Sequence, residues 1–277
     1  MHSSRLAQDP VPRSPAEMVV DAVRQHRRLD GLLDRLRLLT EVREGAEYCV
    51  ERMIHAEQDR AKVTLALLNA GALGVPAVDS SSLGGAAEAL GWPTVVQASI
   101  AVLFLASCRE AARESGSDGM ELFKRSMLCG VSSRGLGAAM GIEESESFCL
   151  GLLQDVGVIG MSAWVAGDYR RFLDSPQSPD PETERGELGI DHTQAGLALL
   201  IYRGFGARLC EAAAFHHGHP ERISTSARLA SAAWRLTESN GDNASLCARI
   251  LGVDAQVLDQ AIGAVGSARA GITRLFG

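Results

Sequence analysis

Apolar residues recur along most of the chain at intervals of three and four, the spacing that places them on one face of an α-helix. The clearest example lies between Leu29 and Leu39, where leucines also stand at positions 32, 33 and 36. No segment of the sequence has the alternating pattern that a half-buried β-strand requires. The pattern predicts an all-α fold, arranged as a multi-helix bundle.

Glycine and proline residues mark several expected helix ends. Gly91 should end a short helix over 83–90, and Pro93 suits the first turn of the next helix. The stretch 174–189 contains three prolines and many charges. It is therefore predicted to be the longest loop, and to be poorly ordered.

The second half of the chain carries further helix signals. One helix is expected over about 120–140, with Gly141 as its stop, and the next should run from about 144 through Val156. Asp191 followed by Gln194 forms a capping-box pattern that predicts another helix start.

A cluster of glycine and serine at 115–119 gives the best internal boundary. We expect a flexible tail over 1–14, an N-terminal helical subdomain over 15–114 and a second helical subdomain over 115–277.

The composition is that of a soluble globular protein, with 46% apolar and 22% charged residues. Six scattered cysteines without a C-x-x-C pair are typical of buried thiols in a reducing compartment. Neither a signal peptide nor 18 uninterrupted apolar residues is visible. We therefore expect a cytoplasmic protein that does not enter a membrane.

The formal net charge of −7 argues against a general surface for nucleic acid or anionic lipid. It leaves room for a local basic pocket, because only Lys62 and Lys124 among the 27 basic residues are lysines. Arginine suits bidentate binding of phosphate, although a bias toward arginine also arises from genomic base composition.

Three short stretches carry the candidate chemistry: Gly-Leu-Leu-Gln-Asp-Val-Gly at 151–157, Gly-Ile-Asp-His-Thr-Gln-Ala-Gly at 189–196, and Phe-His-His-Gly-His-Pro at 215–220. Their order and spacing resemble the core of HD-type metal phosphohydrolases, above all the HDOD output-domain branch. The N-terminal stretches at 67–74, 80–83 and 89–92 resemble the same family. The resemblance implies an all-helical protein with an N-terminal bundle packed on an HD-like bundle, of a kind found in bacterial signalling.

In the hydrolytic relatives a first His, a His-Asp doublet and a late Asp hold the metal. The resemblance places Arg125, the doublet Gln154-Asp155 and Ser231 at those positions. Only Asp155 is a metal ligand, and a lone carboxylate does not bind a transition metal tightly. We therefore expect no catalytic residue, no bound metal and no cofactor. We also expect an Arg125–Asp155 ion pair, with hydrogen bonds donated to it by Gln154 and Ser231.

The histidines allow two interpretations. The resemblance matches His192 and either His216 or His217 to positions of additional ligands or phosphate contacts. Either they are structural, capping or hydrogen-bonding inside the bundle, or they bind an anion together with arginines. The predicted ligand-binding set, named here the HD-like cleft, comprises Arg125, Gln154, Asp155, His192, His216, His217 and Ser231. The pair His217-x-His219 is a weak zinc signal.

The sequence contains no P-loop, nucleophile elbow or H-E-x-x-H motif. It predicts a non-catalytic HDOD-type signalling or regulatory protein that binds a protein partner or a small ligand such as a nucleotide or phosphate. The alternatives are a divergent metal-dependent phosphohydrolase acting on a nucleotide, and a cyclic-dinucleotide sensor.

Overall fold

A computed structural model describes residues 13–42, 45–54, 58–113, 116–218, 224–238 and 243–277. Throughout these ranges the regular structure is helical, and none of the residues lies in a β-strand. The predicted all-α fold is confirmed.

The first half of the chain consists of helices joined by short turns. Its helices are α1 Pro15–Gln25, α2 Arg27–Thr40, α3 Ala46–Ile54, α4 Gln58–Asn69, α5 Leu83–Leu90 and α6 Trp92–Ala112. Ser14 caps α1 in a capping box with Glu17. Of the predicted tail, residues 1–12 lie outside the described part. The predicted end of α5 at Gly91 and the place of Pro93 in the first turn of α6 are confirmed.

The second half continues in the same way. Its helices are α7 Met120–Gly137, α8 Glu144–Leu152, α9 Val156–Val165, α10 Arg170–Leu173, α11 Pro181–Leu188, α12 His192–Arg203, α13 Ala207–Phe215, α14 Thr225–Glu238, α15 Ala244–Leu251 and α16 Ala255–Phe276. A 3-10 turn prolongs α7 to Met140, and Gly141 ends it with a φ of 68°. The predicted capping box of Asp191 and Gln194 opens α12.

The predicted continuous helix through Val156 is wrong, because the chain breaks between α8 and α9. The amides of Val156 and Val158 bond to carbonyls only three residues back, at Leu153 and Asp155. Each helix packs closely on a different neighbour, α8 on α7 and α9 on α12. The break places the doublet Gln154-Asp155 at a corner of the chain.

The predicted long loop is also partly wrong. Residues 181–188 form α11, which Asp180 caps through the amide of Thr183 and which begins with Pro181. Glu184 of this helix is fully buried. The buried Glu184 side chain attaches the segment to the interior. The many charges and prolines of the segment conceal this attachment in the sequence.

Within the described residues, the larger of two apolar clusters extends from Val19 in α1 to Ile272 in α16 and includes most of α6. Helix α1 packs on α9 and α12, and α16 packs on α4 and α7. The two predicted subdomains therefore share apolar contacts. The boundary near 115–119 falls between α6 and α7 and stays a prediction.

Two described stretches, Trp92–Ala112 and Glu144–Leu173, are long and apolar enough to cross a membrane. Of their most apolar windows, 89% and 83% respectively are buried inside the fold. Such burial is typical of core helices in a soluble protein.

Candidate functional site

Three helix junctions bring four potential metal ligands to one point. Asp155 lies at the break between α8 and α9, His192 is the first residue of α12, and His216 and His217 directly follow α13. One ligand atom from each lies within 4.8 Å of every other. Asp155, His192 and His216 are fully buried, and His217 is half-buried. We name these four residues the ligand cluster.

Gly157 allows the junctions to approach this closely. A Cβ atom at this position would overlap the carbonyl oxygen of His192, well inside van der Waals contact. The glycine in the sequence signature is thus required for packing α9 on the start of α12.

Four of the separations between donor atoms of the ligand cluster lie between 3.1 and 3.6 Å. Oδ1 of Asp155 lies 3.1 Å from Nε2 of His216 and 3.6 Å from Nε2 of His192. Nε2 of His192 lies 3.3 Å from Nε2 of His216 and 3.1 Å from Nε2 of His217. Ligands around one tetrahedral ion, with bonds of about 2.0–2.1 Å, stand roughly 3.3–3.4 Å apart. These four separations are therefore close to those within a single metal's coordination shell, and all the ligand atoms lie within 4.8 Å of one another.

In two of the histidines the hydrogen bond at the outer ring nitrogen, Nδ1, fixes the direction in which the lone pair of Nε2 points. Nδ1 of His216 lies 3.0 Å from the carbonyl oxygen of Ala213, which can only accept, so this nitrogen donates. Nδ1 of His192 lies 2.6 Å from Oε2 of Glu184. In the neutral rings both Nε2 atoms are then acceptors, and they face one another and the Asp155 carboxylate. Such a convergence requires a cation, either a proton or a metal ion, among them.

Glu184 supports His192 from α11, and reasoning from the sequence did not find it. Its Oε2 also accepts the backbone amide of His192 at 2.8 Å, and the Tyr169 hydroxyl donates to its other oxygen. A carboxylate on the outer nitrogen of a histidine is the usual partner of a metal-ligating imidazole. Asp180 followed by Pro181 signals the helix start, but nothing in the sequence indicates that its buried acid faces His192.

The electrostatics of the ligand cluster follow from these contacts. Burial alone would raise the pKa of Asp155, but the short contact with His216 and the charges of His216, Arg125 and His192 together lower it below the usual range. Burial opposes the charged form of His192, yet its hydrogen bond and charge interaction with Glu184 raise its pKa. Burial and the neighbouring His216 and His192 lower the pKa of His217 to about 2. The ligand cluster thus offers an ionised carboxylate and a neutral His217 at neutral pH.

Arg125 forms the predicted ion pair with Asp155, between Nε and Oδ2 at 3.6 Å, with both side chains almost fully buried. This distance is too long for a hydrogen bond. One terminal nitrogen of Arg125 instead donates to the carbonyl oxygens of Ser175 and Gln177, each at 3.1 Å.

The hydrogen bonds expected from Gln154 and Ser231 to this pair are wrong. Both side chains are fully buried, and within the described residues their polar atoms have no hydrogen-bond partner. The structure therefore unites five of the seven predicted residues of the HD-like cleft in one contact network, and leaves Gln154 and Ser231 outside it. The further candidate His219 lies outside the described residues.

These side chains fit one metal ion and do not fit a second. Three imidazoles and a carboxylate form a donor set that suits Zn²⁺ or a related ion, and both carboxylate oxygens of Asp155 are buried without a hydrogen bond. The expectation of no metal depended on Asp155 being a lone carboxylate, and the structure removes that premise. At the remaining positions that the family resemblance assigns to metal ligands stand Arg125, Gln154 and Ser231. None of these three is a transition-metal ligand.

The segment between α10 and α11 is anchored by two residues that also contact the ligand cluster. Arg125 holds the carbonyls of Ser175 and Gln177, while Nε1 of Trp234 donates to Oγ of Ser178 at 3.0 Å. The Trp234 ring meets the ring of His217 edge-on, with centroids 4.4 Å apart. The ligand cluster is therefore closed on this side.

The structure is thus an all-helical bundle with a buried His and Asp cluster at its helix junctions. The HDOD domain family matches residues 32–219. This match covers more than half of the chain, and the chain belongs to that family. Among curated proteins none matches significantly.

Solved structures with the same fold come from several bacteria. A protein named "Putative phosphohydrolase" from Shewanella amazonensis SB2B is 16% identical, with a TM-score of 0.69 and coverage of 94% of this chain and 100% of its own. An HDOD domain protein of unknown function from Geobacter sulfurreducens is 16% identical, with a TM-score of 0.68 and coverage of 94% and 99%. A "Putative signal transduction protein" from Marinobacter aquaeolei VT8 is 14% identical, with a TM-score of 0.65 and coverage of 94% and 64%. At these identities the likeness establishes the fold alone.

Proposed function

We propose that this chain is a non-catalytic regulatory HDOD protein of the bacterial cytoplasm, and that its ligand cluster holds one structural metal ion. It acts by binding a protein partner or a small ligand. The observation that carries this proposal is a complete set of four ligands in a closed, buried position.

A coordination shell that is filled by protein ligands distinguishes a structural metal site from a catalytic one. Structural zinc sites have four protein ligands, whereas catalytic sites have three and keep one position for water or substrate. All four positions of the ligand cluster are supplied by this chain, and three of the four side chains are fully buried. A bound metal would contribute positive charge to the convergent acceptors and would join α12 and α13 to the corner between α8 and α9.

The ion pair between Arg125 and Asp155 also supports a non-catalytic site. In a two-metal hydrolase a second cation stabilises the attacking and leaving oxygens. Here a permanently charged guanidinium lies beside Asp155 and is fixed by two backbone carbonyls. It neutralises the carboxylate but supplies no site for an activated water.

Arg125 also lines a cavity of about 280 Å³ together with Lys124 and Arg269. Glu121, which pairs with Lys124 at 3.2 Å, and Glu238 also line this cavity, so its excess of positive charge is small. Guanidinium groups suit an anion such as phosphate. This cavity supports the form of the proposal in which a small ligand binds beside the ligand cluster.

The proposal is tested by assaying the zinc- and manganese-loaded protein on bis-p-nitrophenyl phosphate, a cyclic dinucleotide and nucleoside monophosphates. We expect turnover no higher than that of the Asp155→Asn variant. Metal-dependent turnover that Asp155→Asn abolishes would overturn the non-catalytic assignment.

That result would favour the second candidate function, a one-metal phosphohydrolase. The presence of three histidines with an ionised aspartate supports this candidate, since the same ligands activate water where one position is open. Loss of the Trp234 contact would open the ligand cluster, so a Trp234→Ala variant with raised turnover would support it further.

A further inference from the structure

A cleft between α2, α4 and α6 lies apart from the ligand cluster and has a volume of about 610 Å³. Its lining is dominated by arginine, with two acids and an apolar floor. The six arginines are Arg27, Arg28, Arg35, Arg60, Arg109 and Arg113. This concentration stands out in a chain of net charge −7.

Helical spacing explains how the cleft is built. On α2, Arg28, Leu32 and Arg35 are four and three residues apart and share one face, and Gly31 lies on the same face. On α6, Val102, Leu105, Arg109 and Arg113 repeat the pattern and meet this face, since the two helices pack together. The α2 wall therefore has an arginine on each side of its leucine, and the α6 wall is apolar at one end and cationic at the other.

The two acids of the cleft neutralise only part of its positive charge. Glu110 pairs with Arg113 at 3.1 Å, and Asp59 lies 3.6 Å from Lys62. Within the described part of the chain, neither Arg28 nor Arg109 has a carboxylate within ion-pair distance.

Helix stability does not account for the arginines at the start of α2. Arg27 and Arg28 occupy the first turn, where the helix dipole disfavours a cation. Both are exposed, so neither contributes a buried contact. An anion bound in the cleft would offset this unfavourable interaction with the helix dipole.

We propose that this cleft binds a nucleoside di- or triphosphate, with the phosphates against the arginines and the base against the apolar floor. A volume of 610 Å³ lies within the range of about 300–1,000 Å³ usual for small-molecule sites. Guanidinium groups form bidentate bonds with phosphate and stack on planar rings. Val63, Val102 and Leu105 provide the apolar surface that a base requires.

A concave cleft on an acidic protein suits a small polyanion better than a nucleic acid duplex or a membrane, both of which require an extended cationic face. The proposal goes beyond the regulatory function given above and does not depend on the metal. Metal content and nucleotide binding can fail separately.

The direct test is isothermal titration of the full chain with ATP, inorganic pyrophosphate and adenosine at low ionic strength. We expect one ATP per chain, weaker binding of pyrophosphate and the weakest binding of adenosine, with affinity falling as salt rises. No ATP binding at millimolar concentration would overturn the proposal. Equal affinities for ATP and pyrophosphate would overturn the role of the base.

Two variants assign the binding to the cleft. The double variant Arg28→Gln with Arg109→Gln should weaken ATP binding at least about tenfold, because each loses a charged hydrogen-bond donor. Arg249→Gln, at an exposed arginine on α15, should not. Unchanged binding in the double variant, or equal loss in Arg249→Gln, would contradict the assignment.

Gly31 offers an independent check, because a Cβ atom there would meet no atom within 4 Å. Gly31→Glu introduces a carboxylate into the cleft and should abolish ATP binding, whereas Gly31→Ala should leave it intact. If anionic vesicles or duplex DNA bound through Arg28 and Arg109 while ATP did not, the cleft would be a macromolecular surface and the nucleotide proposal would be wrong.

Discussion

His192 illustrates how single residues set the chemistry of the ligand cluster. Its inner nitrogen faces three other ligands, and its outer nitrogen and backbone amide both bond to Glu184. Burial opposes a charge on the ring, but the carboxylate reverses that effect and raises the pKa. Glu184 therefore fixes both the orientation and the basicity of the imidazole.

The first prediction concerns this carboxylate. Glu184→Gln should weaken zinc binding about 10–100-fold, because an amide oxygen is a poorer acceptor for the imidazole than a carboxylate. The affinity is measured by competition with a chromophoric chelator. Glu187→Gln, an exposed position on the same helix that pairs with Arg171, is the matched control. Equal effects of the two changes would show that Glu184 does not act on the ligand cluster.

A second prediction concerns the buried ion pair. In metal-free protein Arg125→Ala should lower the free energy of unfolding by about 3–5 kcal/mol, because it strands the Asp155 carboxylate. Adding Asp155→Asn should recover part of that loss. Urea unfolding of the single and double variants measures the coupling, with the exposed Arg171→Ala as control. Strictly additive effects would mean that the two charges do not interact.

Glu238 provides a prediction for pH dependence. Burial raises its pKa above the usual value, although Arg125 and Ser178 oppose the shift. A carboxyl with a raised folded-state pKa destabilises the fold when it is ionised, and the penalty disappears as the pH falls through that pKa. Glu238→Gln should therefore be more stable than the wild type at pH 7. The difference should vanish at low pH, where both side chains are neutral. A variant that is less stable at pH 7 would contradict this sign.

At the scale of elements, the sequence predicts regular helices well and their interruptions poorly. Periodicity and caps locate α5, α6, α7 and α12, because these signals are local. The break after α8 is not visible, since the apolar pattern runs through it and only contacts with α7 and α12 require it. Helix α11 is not visible in the sequence, because many of its residues are charged and its one buried residue, Glu184, is itself an acid.

The corresponding prediction uses two glycines in helices. Gly157→Ala should destabilise by at least about 2–3 kcal/mol, because its Cβ would overlap the His192 carbonyl and force α9 away from α12. Gly186→Ala in α11, where a Cβ would meet nothing within 4 Å, should stabilise by roughly 0.5–1 kcal/mol. Thermal unfolding of both variants is the measurement. A tolerated Gly157→Ala would show that the close approach of these helices is not required.

For the whole molecule, the fold class and the grouping of five residues of the HD-like cleft could be predicted, because the order of the motifs along the chain resembles that of the family. The formation of one set of potential metal ligands by Asp155 and three histidines could not, since His192 and His216 lie 24 residues apart and meet only through the packing of α12 and α13. The doublet taken alone suggests a dismantled site. The tertiary structure instead places four potential metal ligands within 4.8 Å of one another, beside the guanidinium of Arg125.

Metal stoichiometry tests this account most directly. Plasma mass spectrometry of protein purified without chelators, then loaded with zinc and desalted, should give one metal ion per chain. The content should fall to near zero in a variant combining Asp155→Asn with His217→Ala, and should remain at one in Glu187→Gln. No bound metal in the wild type, two metals per chain, or one metal that persists in the double variant would contradict a single ion held by the ligand cluster.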